Sequence, residues 1–255
     1  TMKTQDERKR KILESLKNGL IVSCQVYPDE PFYTEDMVVH MAKAAVWAGA
    51  AGIRCNSPED IKQIREVVGD LPIIGLNKEW HEDSDVFITP TLEGAKKLWE
   101  AGADIIALDC TNQRTHQNTI AWELLPILKK EIPDAILFVD ISTYEEAKHA
   151  IELGADIVAP TLYGYTKDTF HIEGPDFRAF AKMCRDFNDD AYVIMEGHIY
   201  TPEDAMKCLF LGAHAVVVGG AITRPHLTAK RFVDVMSGYQ DFWRQGEFAK
   251  HEKGK

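Results

Sequence analysis

The chain has 255 residues, 45% of them hydrophobic and 27% charged, which is the balance of a folded globular protein and excludes disorder, collagen-like repeats and a disulfide mini-scaffold. Twenty-nine Lys and Arg stand against 40 Asp and Glu, a net charge of −11, so neither nucleic acid nor anionic membrane is an expected partner, and an anionic ligand must be held by a local site. The five cysteines show no CxxC spacing, which suggests neither a disulfide framework nor a zinc site and fits a reduced, cytoplasmic compartment.

In chain order, residues 5–18 read as a charged extra helix without the apolar core of a signal peptide. A strand LIVSCQ (20–25) follows, then a helix opening at Thr34-Glu35-Asp36. That helix ends in the first copy of a repeated phrase, a small-residue Gly-Ala helix end running into an apolar strand. The copies are WAGAAGIRC, EAGADIIALDC, ELGADIVAPT and FLGAHAVVVGG, with leading glycines Gly49, Gly102, Gly154 and Gly212. Gly is favoured there because a helix commonly ends on a residue of positive φ. Between the copies lie the strands PIIGLNK (72–78), ILFVD (136–140) and YVIMEG (192–197). Further helices open at Thr89-Pro90-Thr91, Ser142-Thr143 and Thr201-Pro202. The remaining helices are expected at 57–68, 119–131, 176–187 and 223–237.

Eight strands, each followed by a helix, predict an α/β fold: a single (β/α)8 TIM barrel spanning 1–255, with the barrel proper at about 19–237. The extra N-terminal helix precedes it and a C-terminal helix at 239–250 follows. An open doubly wound sheet is the weaker alternative, because no GxGxxG follows a strand.

In such barrels the chemistry sits at the C-terminal ends of the strands. Those ends deliver Ser23, Cys24 and Gln25; Arg54 and Asn56; Lys78; Asp109; Asp140; Thr161; Glu196 and Gly197; and Gly219 and Gly220. The last two strands end in glycines where barrels often hold phosphate, so Gly197, Gly219, Gly220 and Arg224 are read as an anion site, the alternative being tight turns. A desolvated Lys78 beside Arg54 suits a base or an amine nucleophile, or else a structural ion pair with Asp109 or Glu196. Glu196, Asp109 and Asp140 either handle substrate or bridge the mouth. The nine histidines show no HxH or HExxH spacing, so no catalytic metal is expected. His214 falls at a strand start, away from the chemistry. Cys24 and Cys110 read as small buried hydrophobes.

The stretches GLIVSCQ, GIRCNSPEDI, LPIIGLNKEW, FITPT, GADIIALDCTNQR, DISTYEEA, TLYGYT, GPDF, MEGHIYTPEDA and AVVVGGAITRP together resemble the N-acylglucosamine-6-phosphate 2-epimerase (N-acetylmannosamine-6-phosphate 2-epimerase) family over about residues 19–235. The resemblance implies an isomerase of amino sugar and sialic acid catabolism that interconverts N-acetylmannosamine 6-phosphate and N-acetylglucosamine 6-phosphate, without a metal or nucleotide cofactor, and a homodimer. It makes Lys78 the acid/base and Glu196 the residue that holds and polarises the sugar. Gln25, Arg54, Asp109 and Asp140 match substrate-contacting positions, with Arg114 a further one. Gly197, Gly219, Gly220 and Arg224 match the phosphate end, where His198 stands in place of the family's frequent cation. Tyr163, Asn77 and the loop 112–116 also depart from the family pattern. The other classes compatible with the residues are a Schiff-base aldolase or lyase using Lys78 and a non-catalytic phosphosugar-binding barrel.

Overall fold

The computed structural model describes residues 3–239. The strands are β1 (Leu20–Cys24), β2 (Gly52–Asn56), β3 (Ile73–Leu76), β4 (Ile105–Asp109), β5 (Ile136–Asp140), β6 (Ile157–Ala159), β7 (Tyr192–Val193), β8 (Met195–Glu196) and β9 (Val216–Val218). All pair in parallel, in the order β7-β6-β5-β4-β3-β2-β1-β9-β8. β7 and β8 are the two halves of the seventh expected strand and have different neighbours: Tyr192 and Val193 pair with β6, Met195 and Glu196 with β9. Ile194 between them still donates its N–H to Val158 O (3.0 Å), so one chain segment joins both edges and closes the barrel.

The helices are α1 (Glu7–Ser15), α2 (Met37–Ala48), α3 (Pro58–Val68), α4 (Leu92–Glu100), α5 (Leu124–Glu131), α6 (Tyr144–Glu152), α7 (Phe177–Phe187), α8 (Pro202–Phe210), α9 (Gly220–Thr223) and α10 (Pro225–Ser237). Thr91, Thr143 and Thr201 cap α4, α6 and α8 by accepting a backbone N–H, as their sequences predict. Asp36 does not cap α2; it bonds Thr34 and His40 instead. The four repeat glycines all have positive φ, 86° to 108°, which explains their recurrence. The helix expected at 223–237 is broken at Arg224 (φ −124°, ψ 72°), because a residue before proline is pushed out of the α region by the Pro225 ring. The segment expected as one helix over 119–131 opens with a 3₁₀ turn, Ala121–Glu123, before α5. The helix expected at 239–250 lies outside the described residues, apart from Tyr239.

Alternation along the strands separates two cores. Ile21, Ile74, Ile105, Ala107, Ile136, Phe138, Ile157 and Val217 point into the barrel. Val22, Ile53, Ile73, Ile106, Leu108, Leu137 and Val139 point out against the helices. The bottom of the barrel is plugged by α1, whose Leu13 and the following Leu16 are fully buried against the inner core. His214 fixes that plug by donating from Nε2 to Leu13 O (2.6 Å), which is the structural role expected of a strand-start histidine. Among the described residues no helix is long and apolar enough to cross a membrane.

Candidate active site

The same period of two places the polar strand ends. On β4 and β5 the inward positions run Ile105, Ala107, Asp109 and Ile136, Phe138, Asp140. On β2 the outward Ile53 and Cys55 leave Arg54 facing inward, and on β8 the outward Met195 leaves Glu196 inward. Each functional side chain thus continues an apolar column at the C-terminal mouth of the barrel.

A cavity of about 320 Å³ opens there, and its lining includes Gln25, Tyr27, Lys78, Thr161, Glu196, Gly197, His198, Gly219, Gly220, Arg224 and Arg231. Its floor is an ion network. Arg54 Nη2 donates to Asp140 Oδ2 (2.9 Å), and Arg54 Nε stands 3.2 Å from Glu196 Oε1. Asp140 is fully buried and Arg54 nearly so, and the Phe138 ring lies 4.9 Å from the guanidinium. Burial disfavours the Arg54 charge, but the Asp140 and Glu196 carboxylates more than offset it and hold its pKa up. Glu196 is pushed above the ordinary carboxylate range by burial, against the pull of Arg54. Gln25 Oε1, Arg54 Nη1, Asp140 Oδ1 and Glu196 Oε2 are buried and have no hydrogen-bond partner among the described residues. Buried polar atoms in native proteins are nearly always paired, so this unsatisfied set is suited to the hydroxyl and carbonyl groups of a polar ligand.

Lys78 stands two residues beyond β3. Its backbone N–H donates to Asn56 Oδ1 (2.8 Å), and the residue bridges antiparallel to Ile88, so a short hairpin after the strand holds it at the mouth. Its Nζ donates to the Tyr27 hydroxyl. Burial, reinforced by Arg54, lowers the amine pKa to about 8. The ammonium therefore loses its proton far more readily than that of a solvated lysine. No carboxylate is paired with Lys78 among the described ion pairs, so the alternative of an ion pair with Asp109 or Glu196 is not what forms. Tyr27 is a residue that sequence reasoning missed: it lies just beyond β1, in a stretch whose aromatic and proline residues follow no period. Burial raises its phenol pKa.

At the far end, the short helix α9 starts at Gly220, and Gly219 caps it. A Cβ on Gly220 would meet nothing nearer than 3.9 Å, so the surrounding protein does not demand glycine there, whereas close approach of a ligand to the backbone would. Arg224 is held by Glu30 through both Nε and Nη2. Glu30 also accepts the Tyr27 N–H (2.8 Å) and lies 3.2 Å from His226 Nε2. The loop after β1 is in this way tied to the start of α10, a pairing across the whole chain that sequence spacing does not reveal. His198 has φ 59°. Its Nε2 donates to Tyr163 O (2.8 Å), and its ring stacks on Tyr165 at 5.2 Å. Arg231 joins this end with its guanidinium 4.2 Å from the Tyr200 ring.

Besides Arg54 and Asp140, which lie beneath Glu196 in the ion network, two more expected residues are absent from the cavity lining. Asp109 is buried beside it and accepts from Thr111 N–H (2.8 Å) and Oγ1 (2.7 Å); burial lifts its pKa to about 7. Arg114 is exposed and donates to Asn118 O and Oδ1 within its own loop, because the Arg114–Ile120 bridge and the Thr115–Thr119 bonds fold that loop back on itself. Cys24 and Cys110 are fully buried in the outer layer, and burial pushes the Cys24 thiol up to about 12. They are packing residues, as expected.

Comparison with known proteins agrees with this geometry. Residues 38–238 match the family model described as "Putative N-acetylmannosamine-6-phosphate epimerase". A curated protein of that 2-epimerase name from Caldanaerobacter subterraneus is 45% identical over 222 residues, covering 87% of this chain and 92% of its own. One from Listeria monocytogenes is 40% identical over 232 residues, covering 90% and 97%. The solved structure of the N-acetylmannosamine-6-phosphate 2-epimerase from Clostridium perfringens superposes with a TM-score of 0.81 at 37% identity, covering 92% of this chain and 99% of that one. The expected barrel is therefore the fold of a known epimerase, and the chain belongs to the N-acetylmannosamine-6-phosphate epimerase family of isomerases.

Proposed function

We propose that the chain interconverts N-acetylmannosamine 6-phosphate and N-acetylglucosamine 6-phosphate by removing and returning the proton at C2. The observation that carries this reading is the Lys78 amine, made weakly basic by burial, at one end of a cavity whose other end is formed by the Gly219-Gly220 turn, Arg224 and His198. A phosphate on the turn places the open-chain carbonyl end of the sugar toward Lys78. Neutral Lys78 takes the C2 proton, the C–H electron pair moves toward the carbonyl oxygen, and a C1–C2 enolate carrying the acetamido group at C2 forms. The Arg54 guanidinium, whose Nη1 has no partner among the described residues, meets that developing charge in a largely dry site, where fixed charges act most strongly. Glu196 holds and polarises the sugar, and Gln25 and Asp140 orient its polar groups. The epimer forms when a proton returns to the opposite face of C2, either from a carrier on that face or from the Lys78 ammonium after a bond rotation of the intermediate turns that face toward it.

The whole chain acts as one barrel domain with no cofactor in this scheme. The five free, buried cysteines fit the cytoplasm. A homodimer is supported by α10, which has no buried residue and exposes Phe232, Val235 and Met236. Phe242 and Trp243, which the sequence offers as further apolar groups for such an interface, lie outside the described residues.

The test is to incubate the purified protein with N-acetylmannosamine 6-phosphate and resolve the products. Conversion to N-acetylglucosamine 6-phosphate is expected, with no adduct trapped by borohydride. Cleavage of the carbon chain with borohydride labelling at Lys78 would identify a Schiff-base aldolase instead, and binding without turnover a non-catalytic barrel.

A further inference from the structure

The rim of the barrel carries a second group of ligating side chains outside the cavity just described. Glu79 and His81 follow Lys78 on the loop after β3, and His116 lies on the loop after β4. One potential ligand atom from each lies within 4.8 Å of the other two. None of the three lines the catalytic cavity.

The environment of these residues is built rather than incidental. Glu79 Oε1 accepts from Asn77 Nδ2 (2.9 Å) and Thr91 Oγ1 (3.0 Å), which fixes the carboxylate and leaves Oε2 facing His81 Nε2 at 3.6 Å. Gly94 leaves the room for this: a Cβ there would come within 2.9 Å of Oε1. A carboxylate oriented by outer hydrogen bonds with one oxygen left free is the arrangement that metal ligands show. On the other side, His81 Nε2 and His116 Nδ1 are both shielded from solvent and neither has a hydrogen-bond partner. Their rings stack at 3.6 Å, 11° from parallel. Two orphaned imidazole nitrogens beside a free carboxylate oxygen lack only a shared electron-pair acceptor.

We propose that Glu79, His81 and His116 bind one divalent transition-metal ion of the zinc type. Two imidazoles and one carboxylate are the donor set that suits such an ion, and three protein ligands leave a fourth, water-accessible position. Binding requires the two rings to splay from their stack so that both lone pairs converge. The ion then staples the loop that carries Lys78 to the loop after β4 and acts as a structural clamp at the rim. The spacing that argues against a histidine metal motif could not reveal this group, because the two loops meet only in the folded barrel.

The experiment is calorimetric titration of the chelator-treated full-length protein with zinc chloride, alongside the His81→Ala, His116→Ala and Glu79→Gln variants. Cobalt(II) chloride provides a second, spectroscopic probe. The wild type is expected to bind one ion per chain, to give the visible bands of tetrahedral cobalt and to melt at a higher temperature with zinc. Each histidine variant should bind at least about tenfold more weakly and lose those bands, with its metal-free melting temperature unchanged. A wild type that takes up no zinc overturns the proposal. So does a wild-type-like isotherm in both histidine variants, which would place the ion on other histidines.

Discussion

Lys78 Nζ donates its hydrogen bond to the Tyr27 hydroxyl, which joins the end of the third barrel strand to the loop after the first. The phenol is a neutral acceptor for the ammonium, so it favours the charged form, against burial and Arg54, which disfavour it. Tyr27→Phe removes that acceptor and should lower the lysine pKa further. The acid limb of the kcat/KM profile should move down by about 0.5–1 pH unit, since one unit corresponds to about 1.4 kcal/mol, and kcat should fall because the amine is no longer held. An unmoved limb would mean that the bond has no part in setting the base.

As the proposed base, Lys78 must be neutral to accept the C2 proton. With a Lys78 pKa of about 8, kcat/KM should rise with pH up to and through about 8 and then level off. A limb near the ordinary lysine value would contradict the burial argument.

Lys78→Met should reduce kcat by about 10²–10⁴-fold, the usual contribution of a general base, without lowering stability. The charged form is disfavoured in the folded protein, so loss of the charge relieves a cost that is present below pH 8 and fades as pH rises toward 10.5. Thermal melting of both proteins at pH 7 checks this; a variant clearly less stable than wild type would show that Lys78 contributes to packing.

Arg54→Ala tests the floor of the site. It leaves the carboxylates of Asp140 and Glu196 buried with no guanidinium between them. Removing one partner from such a network costs about 3–5 kcal/mol. Denaturant unfolding should show that loss together with loss of turnover. A change below about 1 kcal/mol would mean that the network relaxes into solvent.

The fold was legible because its signals are local. The four repeat glycines mark positions where φ is positive, and the alternation of the strands assigns Arg54, Asp140 and Glu196 to the barrel interior before any side chain is placed. The break at Arg224 follows from Pro225 and could have been read from the same rule. The contacts that the sequence does not reveal join distant loops: Tyr27 with Lys78, Glu30 with Arg224, and Glu79 and His81 with His116. Their register is set by how the loops fold over the mouth, and no periodicity records that. Arg114 shows the converse, an arginine in a suggestive loop whose guanidinium donates to Asn118 of its own turn.

The phosphate end gives a further prediction. His198 lies with Gly219, Gly220 and Arg224 in the cavity; if it binds the phosphate as proposed, a contact remote from C2 is made equally in ground and transition states, and His198→Ala should raise KM several-fold and leave kcat largely intact. A fall in kcat at constant KM would move His198 from binding into the chemistry.

The central claim is that Lys78 exchanges the C2 proton. The most direct measurement is proton NMR of N-acetylmannosamine 6-phosphate with the protein in deuterated water, run in parallel with Lys78→Met. This role for Lys78 requires that the wild type incorporate deuterium at C2 and produce N-acetylglucosamine 6-phosphate, and that the variant do neither. Epimerisation without loss of the C2 proton signal, or deuterium incorporation by the variant at the wild-type rate, would contradict it.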